Sequence, residues 1–495
     1  MLSLGIDVGS SSVKVSIFDI VNGKVLAHAQ YPETEMEMIA LQPGWAEQDP
    51  EWWWIAFLHA YSTAISKQDI DTLRIECIGI AYQMHGLVCM DKNGSVLRPS
   101  IIWCDSRAVQ IGNDALAHLG VDYCFNHLLN SPGNFTLSKL KWVKDNEPDI
   151  YNKIHKICLP GDYLAYKLSG TLTTTIGGLS EGVMYDFTLK NLSYPLLDYF
   201  GIDPTVIPVI HKNFDDHGKI SPKWAKELKV SPNAIITYKA GDQPNNALSL
   251  NVLKQGEVAA TAGTSGVVYG VAQSLFIDYS QRVNSFAHVN YTKDSPSLGI
   301  LLCINGVGIA NSWIKKITNA NNYFSMNHSA STILPGASNL YFYPFGNGTE
   351  RMLQNKNTNA WFSGIEFNNH TNSHLYRAVQ EGIAYSFKFG MESFIENDIH
   401  IGVIRAGHAN LFLSDVFSQV LSSLLKVKIE LYNTDGSIGA ARGALIGNKI
   451  TDFPNAFQDL HKIKTIEPDL ALTERYEELY NQWRKGLINK LTETN

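Results

Sequence analysis

Leu2-Ser3-Leu4-Gly5-Ile6-Asp7-Val8, Gly9-Ser10-Ser11-Ser12 and Val13-Lys14-Val15-Ser16-Ile17-Phe18 follow one another at the start of the chain. The outer segments are apolar or alternating, as strands are, and the middle one is a tight Gly/Ser turn. Asn22-Gly23 signals a further hairpin turn. The same succession returns half a chain later as Val258-Ala259-Ala260-Thr261-Ala262, Gly263-Thr264-Ser265-Gly266 and Val267-Val268-Tyr269. A duplicated two-domain protein shows such an echo, although two unrelated hairpins would read the same way. The echo places a boundary within residues 244–256 and predicts units spanning 1–245 and 246–495.

Between the hairpins, Ile75-Glu76-Cys77-Ile78-Gly79-Ile80-Ala81 reads as a mostly buried strand running into Tyr82-Gln83-Met84-His85-Gly86. Residues 235–239 read as another, running into Ala240-Gly241-Asp242. Open α/β sheets place ligands beyond the carboxyl ends of their strands, so these two loops are favoured places for chemistry. Asp49-Pro50-Glu51 opens a helix, with Asp as cap and Pro in the first turn. Its apolar positions Trp54, Phe57, Leu58, Tyr61 and Ile65 keep helical spacing, so Trp52, Trp53 and Trp54 read as packing before sugar stacking. Farther on, Leu413, Val416, Phe417, Val420, Leu421 and Leu424 form one helical stripe. Ser437–Ala444 is a small-residue helix suited to close packing, and 469–492 is a polar amphipathic helix. Strands alternating with helices predict an α/β fold of mixed sheets covered by helices.

The 495 residues exceed what one hydrophobic core holds, at about 250–300 residues. With 45% hydrophobic and 18% charged residues, the chain is composed to fold. The net charge of −7 and the lack of a Lys/Arg run argue against nucleic acid as a partner. The six cysteines form no C-x-x-C pair, so neither a disulfide scaffold nor structural zinc is expected. No basic leader and no apolar run of about 18–20 residues is present, which predicts a soluble cytoplasmic protein with no membrane contact.

Several residue sets could carry chemistry. The Gly9–Ser12 turn offers amides and hydroxyls of the kind that cradle phosphate, and Asp7 stands where a carboxylate could hold Mg²⁺ through water. A plain hairpin would use its serines on its own turn. A second such turn at Gly263–Gly266 would let two hairpins grip a nucleoside triphosphate from both sides. No G-x-x-x-x-G-K-[ST], no G-x-G-x-x-G and no protein-kinase signature set occurs. Asp242 precedes Gln243-Pro244-Asn245-Asn246 and reads either as a helix N-cap or as a base kept ionised by the helix terminus. Phosphoryl transfer asks such a base mainly for position. His85 reads as a structural histidine or as a ligand contact. His370 and His374 stand one turn apart, but without the partners a zinc site needs.

Taken together the segments resemble the FGGY carbohydrate kinases, and within them the xylulokinase branch. The carriers are Gly5–Lys14, Trp45-Ala46-Glu47-Gln48-Asp49-Pro50, Gln83-Met84-His85-Gly86, Trp103-Cys104-Asp105-Ser106-Arg107, Gly241-Asp242-Gln243 and Gly263-Thr264-Ser265-Gly266. The resemblance covers roughly residues 3–450. It implies an actin-like ATPase, ribonuclease-H-like fold with two similar domains around a deep cleft, and ATP- and Mg²⁺-dependent phosphorylation of the terminal hydroxyl of D-xylulose. By the same resemblance Asp242 is the catalytic base, and Met84, His85, Asp242, Gln243, Asp105 and Asn134 are sugar contacts. Ser10, Ser11, Ser12, Lys14 and Thr264 border the phosphates, with Asp7 near the metal. Gly308, Ser312, Gly407 and Asn410 lie at the nucleotide. A homodimer is a family-level expectation. The alternatives are an FGGY kinase for ribulose, glycerol or another polyol, or a non-catalytic actin-like protein that binds sugar or ATP. The chain departs from the family pattern at Ala406-Gly407-His408-Ala409-Asn410, at Gln243 and across 173–182.

Overall fold

The computed structural model describes residues 1–67 and 69–493. Its framework is two sheets. The first takes β1 (Leu2–Val8), β2 (Val13–Asp19), β3 (Lys24–Tyr31), β4 (Ile75–Tyr82) and β5 (Ile235–Gly241), in the order β5-β4-β1-β2-β3. The second takes β6 (Glu257–Ala262), β7 (Gly266–Ala272), β8 (Asn284–Ala287), β9 (Leu298–Ile304), β10 (Val403–Gly407), β11 (Ile429–Tyr432) and β12 (Lys462–Ile466), in the order β8-β9-β7-β6-β10-β11-β12.

The two orders repeat one topology. β1 pairs antiparallel with β2, and β2 with β3, while β4 and β5 run parallel to β1. In the second sheet β6, β7, β9, β10 and β11 repeat those five roles and senses. The hairpin echo is therefore a repeat of a whole sheet, and the α/β expectation with two similar halves holds. In both sheets the parallel strands bring their carboxyl ends to one edge, where open α/β sheets bind ligands.

Helices cover the faces. Asp49 caps α1 (Pro50–Ser66), its Oδ1 accepting from Glu51 N at 2.9 Å. Trp53 and Trp54 are buried, and Trp53 donates Nε1–H to Gln48, so these two pack the core. α2 (Asp242–Ser249) leads out of β5, and α3 (Gly308–Ile317) follows β9. The long α4 (Asn372–Glu396) packs against α5 (Asp415–Leu425) and α7 (Leu470–Glu493). Leu413 falls outside the stripe expected of it: Ser414 caps α5, and Leu413 is 53% exposed.

The small-residue helix α6 (Gly436–Gly447) follows β11 of the second sheet yet lies across the first, against β1, β2, β4 and β5. Glycines make the approach possible: a Cβ at Gly5 would sit 1.9 Å from Ser437 O, and one at Gly79 2.0 Å from Ala440 O. Ser16 Oγ to Ser437 Oγ at 2.7 Å and Thr237 Oγ1 to Ala444 O at 2.7 Å pin the contact. All six cysteines are free, and no helix among the described residues is long and apolar enough to cross a membrane.

Candidate active site

Asp7 lies one residue from the end of β1, paired across the hairpin with Lys14 on β2. Burial pushes its carboxyl up to about 6, Lys14 opposing the shift and Asp435 adding to it. Asp435 caps α6 by accepting from Ile438 N at 3.0 Å. Gly436 lets α6 come up to Asp7, since a Cβ there would meet Asp7 Oδ2 at 2.3 Å. Gly9 N donates to Ser12 O at 3.0 Å and closes the phosphate-like turn. Gln48 holds that turn from behind. Its Nε2 donates to Ser10 O at 2.7 Å and Glu37 O at 3.1 Å, and its Oε1 accepts from Trp53 Nε1 and Gln83 Nε2.

Asp242 enters from β5. Gly241 is the cap position of α2 and Asp242 the first helical residue, so the N-cap reading fails and its carboxyl is left to face the cleft. Burial, and then the Asp7 carboxylate, raise it to about 7 against hydrogen bonds from Gln243. Two carboxyl groups with proton affinities near neutrality thus flank one cleft. Proximity of that kind marks acid–base sites.

The loop after β4 supplies Met84 and His85. Gln83 N donates to Val8 O at 2.8 Å, binding this loop to the end of β1. His85 has φ +62°, and its ring meets Phe135 at 4.9 Å and Phe286 at 5.4 Å between centroids. Its Nδ1 lies 2.7 Å from Glu181 O. A carbonyl only accepts, so Nδ1 carries the hydrogen and Nε2 is left as an acceptor. Burial, with Lys139 and then Arg351 acting in the same sense, drops the imidazole to about 3. His85 is neutral at any working pH.

One cavity of about 440 Å³ gathers Asp7, Gly9, Ser10, Ser11, Ser12, Lys14, Met84, His85, Asp242 and Gln243 from the first half with Thr261, Ser265, Cys303 and Asn305 from the second. A second cavity, of about 710 Å³, is lined by Gly263, Thr264, Gly308, Asn311, Ser312, Tyr323, Phe324, Asn327, Asn410 and Leu411. The Gly263–Gly266 turn serves both, Thr264 facing one and Ser265 the other. The amides of Gly308 and Ile309, at the start of α3, donate to Gly263 O at 2.8 Å and Thr264 O at 3.1 Å. Gly308 must lack a Cβ there, since one would meet Gly263 O at 2.2 Å.

Three expected contacts are not brought to these cavities. Asp105 is fully buried, with Oδ2 accepting from Ala46 N at 2.6 Å and both oxygens engaged by Arg107. It serves the scaffold in which Arg107 reaches Glu47 at 2.6 Å and lies over Trp45 at 3.8 Å. Gly407 ends β10 beside Thr434 O and lines neither cavity. Asn134 lines neither, although its Oδ1 is buried without a partner. His370 and His374 serve the start of α4, His370 Nδ1 accepting from Glu366 N and His374 Nδ1 bonding to Thr371. Among the described residues no three His, Cys, Asp or Glu groups converge on a metal.

Other residues escaped the sequence reading. Ser265, Thr261 and Asn305 stand at strand ends on the cavity wall, and Trp103 joins them, donating Nε1–H to Ser10 Oγ at 3.3 Å. The Gly/Ser/Thr turn was the signal for Ser265. Glu181, buried and raised well above an ordinary carboxyl by burial and by Asp242, gave no signal beyond its place in a segment unlike the family pattern.

The comparisons with known proteins agree with this geometry. The N-terminal domain of the FGGY family of carbohydrate kinases matches residues 2–249 and its C-terminal domain residues 258–447. The xylulose kinase of Klebsiella pneumoniae is 27% identical over 448 residues, spanning 89% of this chain and 88% of its own. Among solved structures, a xyloylose kinase from Brucella ovis superposes with TM-score 0.89 at 26% identity, covering 100% of both chains. A glycerol kinase from Plasmodium falciparum reaches the same TM-score of 0.89 at 21% identity, covering 99% of this chain and 98% of its own. With both of its domains matched in order, and two hairpin turns meeting at one acidic cleft, this chain belongs to the FGGY family of carbohydrate kinases.

Proposed function

We propose that the chain transfers the γ-phosphoryl group of MgATP to the terminal hydroxyl of D-xylulose, giving D-xylulose 5-phosphate and ADP. The observation that carries the reading is the convergence of Asp242 with the hydroxyls of Ser10–Ser12 and of Ser265 on one cavity. Likeness over most of the chain to proteins named xylulose kinases supports this choice of sugar. Met84, His85 and Gln243 would line the sugar, His85 Nε2 accepting from one hydroxyl. The Asp242 carboxylate takes the proton of the reacting hydroxyl while its oxygen bonds to the γ-phosphorus and the bond to the ADP oxygen breaks. Positioning and charge neutralisation supply most of such a rate.

Ser10, Ser11, Ser12 and Lys14 would border the phosphates from one side and Thr264 from the other, with Gly308, Ser312 and Asn410 along the nucleotide. The donors present suit magnesium: Asp7 is a hard carboxylate at the cleft, and among the described residues no three protein ligands converge there, so the ion would keep water and phosphate oxygens, as Mg²⁺ does. Asp7 would hold that ion, which when bound neutralises phosphate charge. The halves 1–245 and 246–495 would close on the substrates and expel water, a competing nucleophile. The reaction belongs in the cytoplasm, where ATP is supplied.

A panel of D-xylulose, D-ribulose, L-ribulose, glycerol and gluconate, read by coupled ADP release, tests the substrate. D-xylulose should give the highest kcat/KM, and a higher value for any other member would overturn the choice.

A further inference from the structure

Lys139 is fully buried on the helix Thr136–Asn146. Its Nζ lies 2.9 Å from His85 O and 2.9 Å from Ile102 O. No carboxylate among the described residues comes within ion-pair distance of it, because Asp105, the nearest acidic influence, is spent on Arg107 and Ala46 N. A buried ammonium without a counter-charge is costly, and an apolar side chain could fill its space. What it does touch is the backbone of two loops, one of which carries the His85 imidazole.

We propose that Lys139 is a positioning residue for sugar recognition: it ties the His85 carbonyl to the Ile102 carbonyl, so holding the turn that presents the imidazole to the cavity. The inference rests on the reading of His85 as a sugar contact. A non-glycine residue at φ +62° stays there only when its surroundings hold it, and the hydrogen bond to its own carbonyl is such a restraint.

The groups facing His85 oppose one another, the hydrogen bond to the Glu181 carbonyl favouring the imidazolium, and burial outweighs it. Lys139 and Arg351 both disfavour the imidazolium. Glu181, whose carbonyl accepts from Nδ1, has its carboxyl raised well above the usual range and holds its proton. Phe135 and Phe286 are apolar, and Asp242 stands on the same cavity. An imidazolium would offer a sugar hydroxyl no acceptor.

The test is imidazole titration by NMR in the full chain with labelled histidine, together with KM for D-xylulose and for ATP. In the wild type His85 should not titrate above about pH 5. In Lys139→Met KM for D-xylulose should rise about tenfold, as for one lost hydrogen bond, with KM for ATP within about twofold. Lys139→Gln keeps a donor to the two carbonyls, so its KM for D-xylulose should stay within about threefold of the wild type. It also carries the test should Lys139→Met fail to fold. The proposal is overturned by a wild-type imidazole that titrates above about pH 5, by an unchanged sugar KM in Lys139→Met, or by sugar and ATP KM values rising together. An unchanged sugar KM in His85→Ala would instead remove His85 from the sugar, and with it the reading beneath the proposal.

Discussion

Burial and the neighbouring Asp7 hold the Asp242 carboxyl at about 7 against an ordinary 3.8. The base form therefore grows as pH rises through neutrality, and log kcat/KM for the sugar should fall with a slope near one below about pH 7. Asp242→Asn should lower kcat by at least about a hundredfold. The same shift bears on stability. The folded state binds the Asp242 proton more tightly than the unfolded chain, so its contribution is present below pH 3.8 and is lost as pH rises to about 7. Asp242→Asn should thus raise the Tm of the substrate-free protein by roughly a few degrees at pH 8, and leave it nearly unchanged at pH 4. A scan at both pH values decides it; a lower Tm at pH 8 would contradict the carboxyl's strained burial. At this scale the sequence led to Asp7, His85 and Asp242, because each sits at or just past the carboxyl end of a strand. It misjudged Asp105, because motif and spacing do not say whether a carboxylate faces ligand or, as here, an arginine of its own loop.

Among the elements, α6 decides how the halves meet. It belongs by chain order to the second sheet and packs on the first, over Gly5 and Gly79. Gly79→Ala drives a methyl to 2.0 Å from Ala440 O, which cannot move without the whole helix. Chemical denaturation should show a loss of about 3 kcal/mol or more, beyond ordinary overpacking, and a loss below about 1 kcal/mol would mean that α6 yields easily. Gly308→Ala acts on the other side, pressing Gly263 O at the phosphate turn. It should raise KM for ATP about tenfold or more while KM for the sugar stays within about twofold, a split that steady-state kinetics reads directly. The small residues of 437–444 announced close packing in the sequence. Their partner did not show, because small side chains state a short distance and never its target.

For the whole molecule, two sheets of one topology turn their strand carboxyl ends to a common cleft, and one turn, Gly263–Gly266, borders both cavities. Saturating sugar with a non-hydrolysable nucleotide should lower the radius of gyration in solution scattering, and an unchanged profile would count against closure. The fold itself does not choose the sugar: a xyloylose kinase and a glycerol kinase superpose on the chain equally well. In the proposed reading that choice falls to the few side chains on the cavity wall, Met84, His85 and Gln243 among them.

The sequence by itself determined the strand–turn–strand units, their repetition, the small-residue helix and the acidic residues at the strand ends. Each follows from local spacing, which a period of two or of 3.6 residues imposes on neighbours in the chain. Only the tertiary structure decided that Asp105 is spent on Arg107, that Gly407 stands outside both cavities, that α6 crosses to the other sheet and that Lys139 lies under His85. Those contacts join residues far apart in sequence, and burial, which sets both proton affinity and access to substrate, exists only once the chain has closed around them.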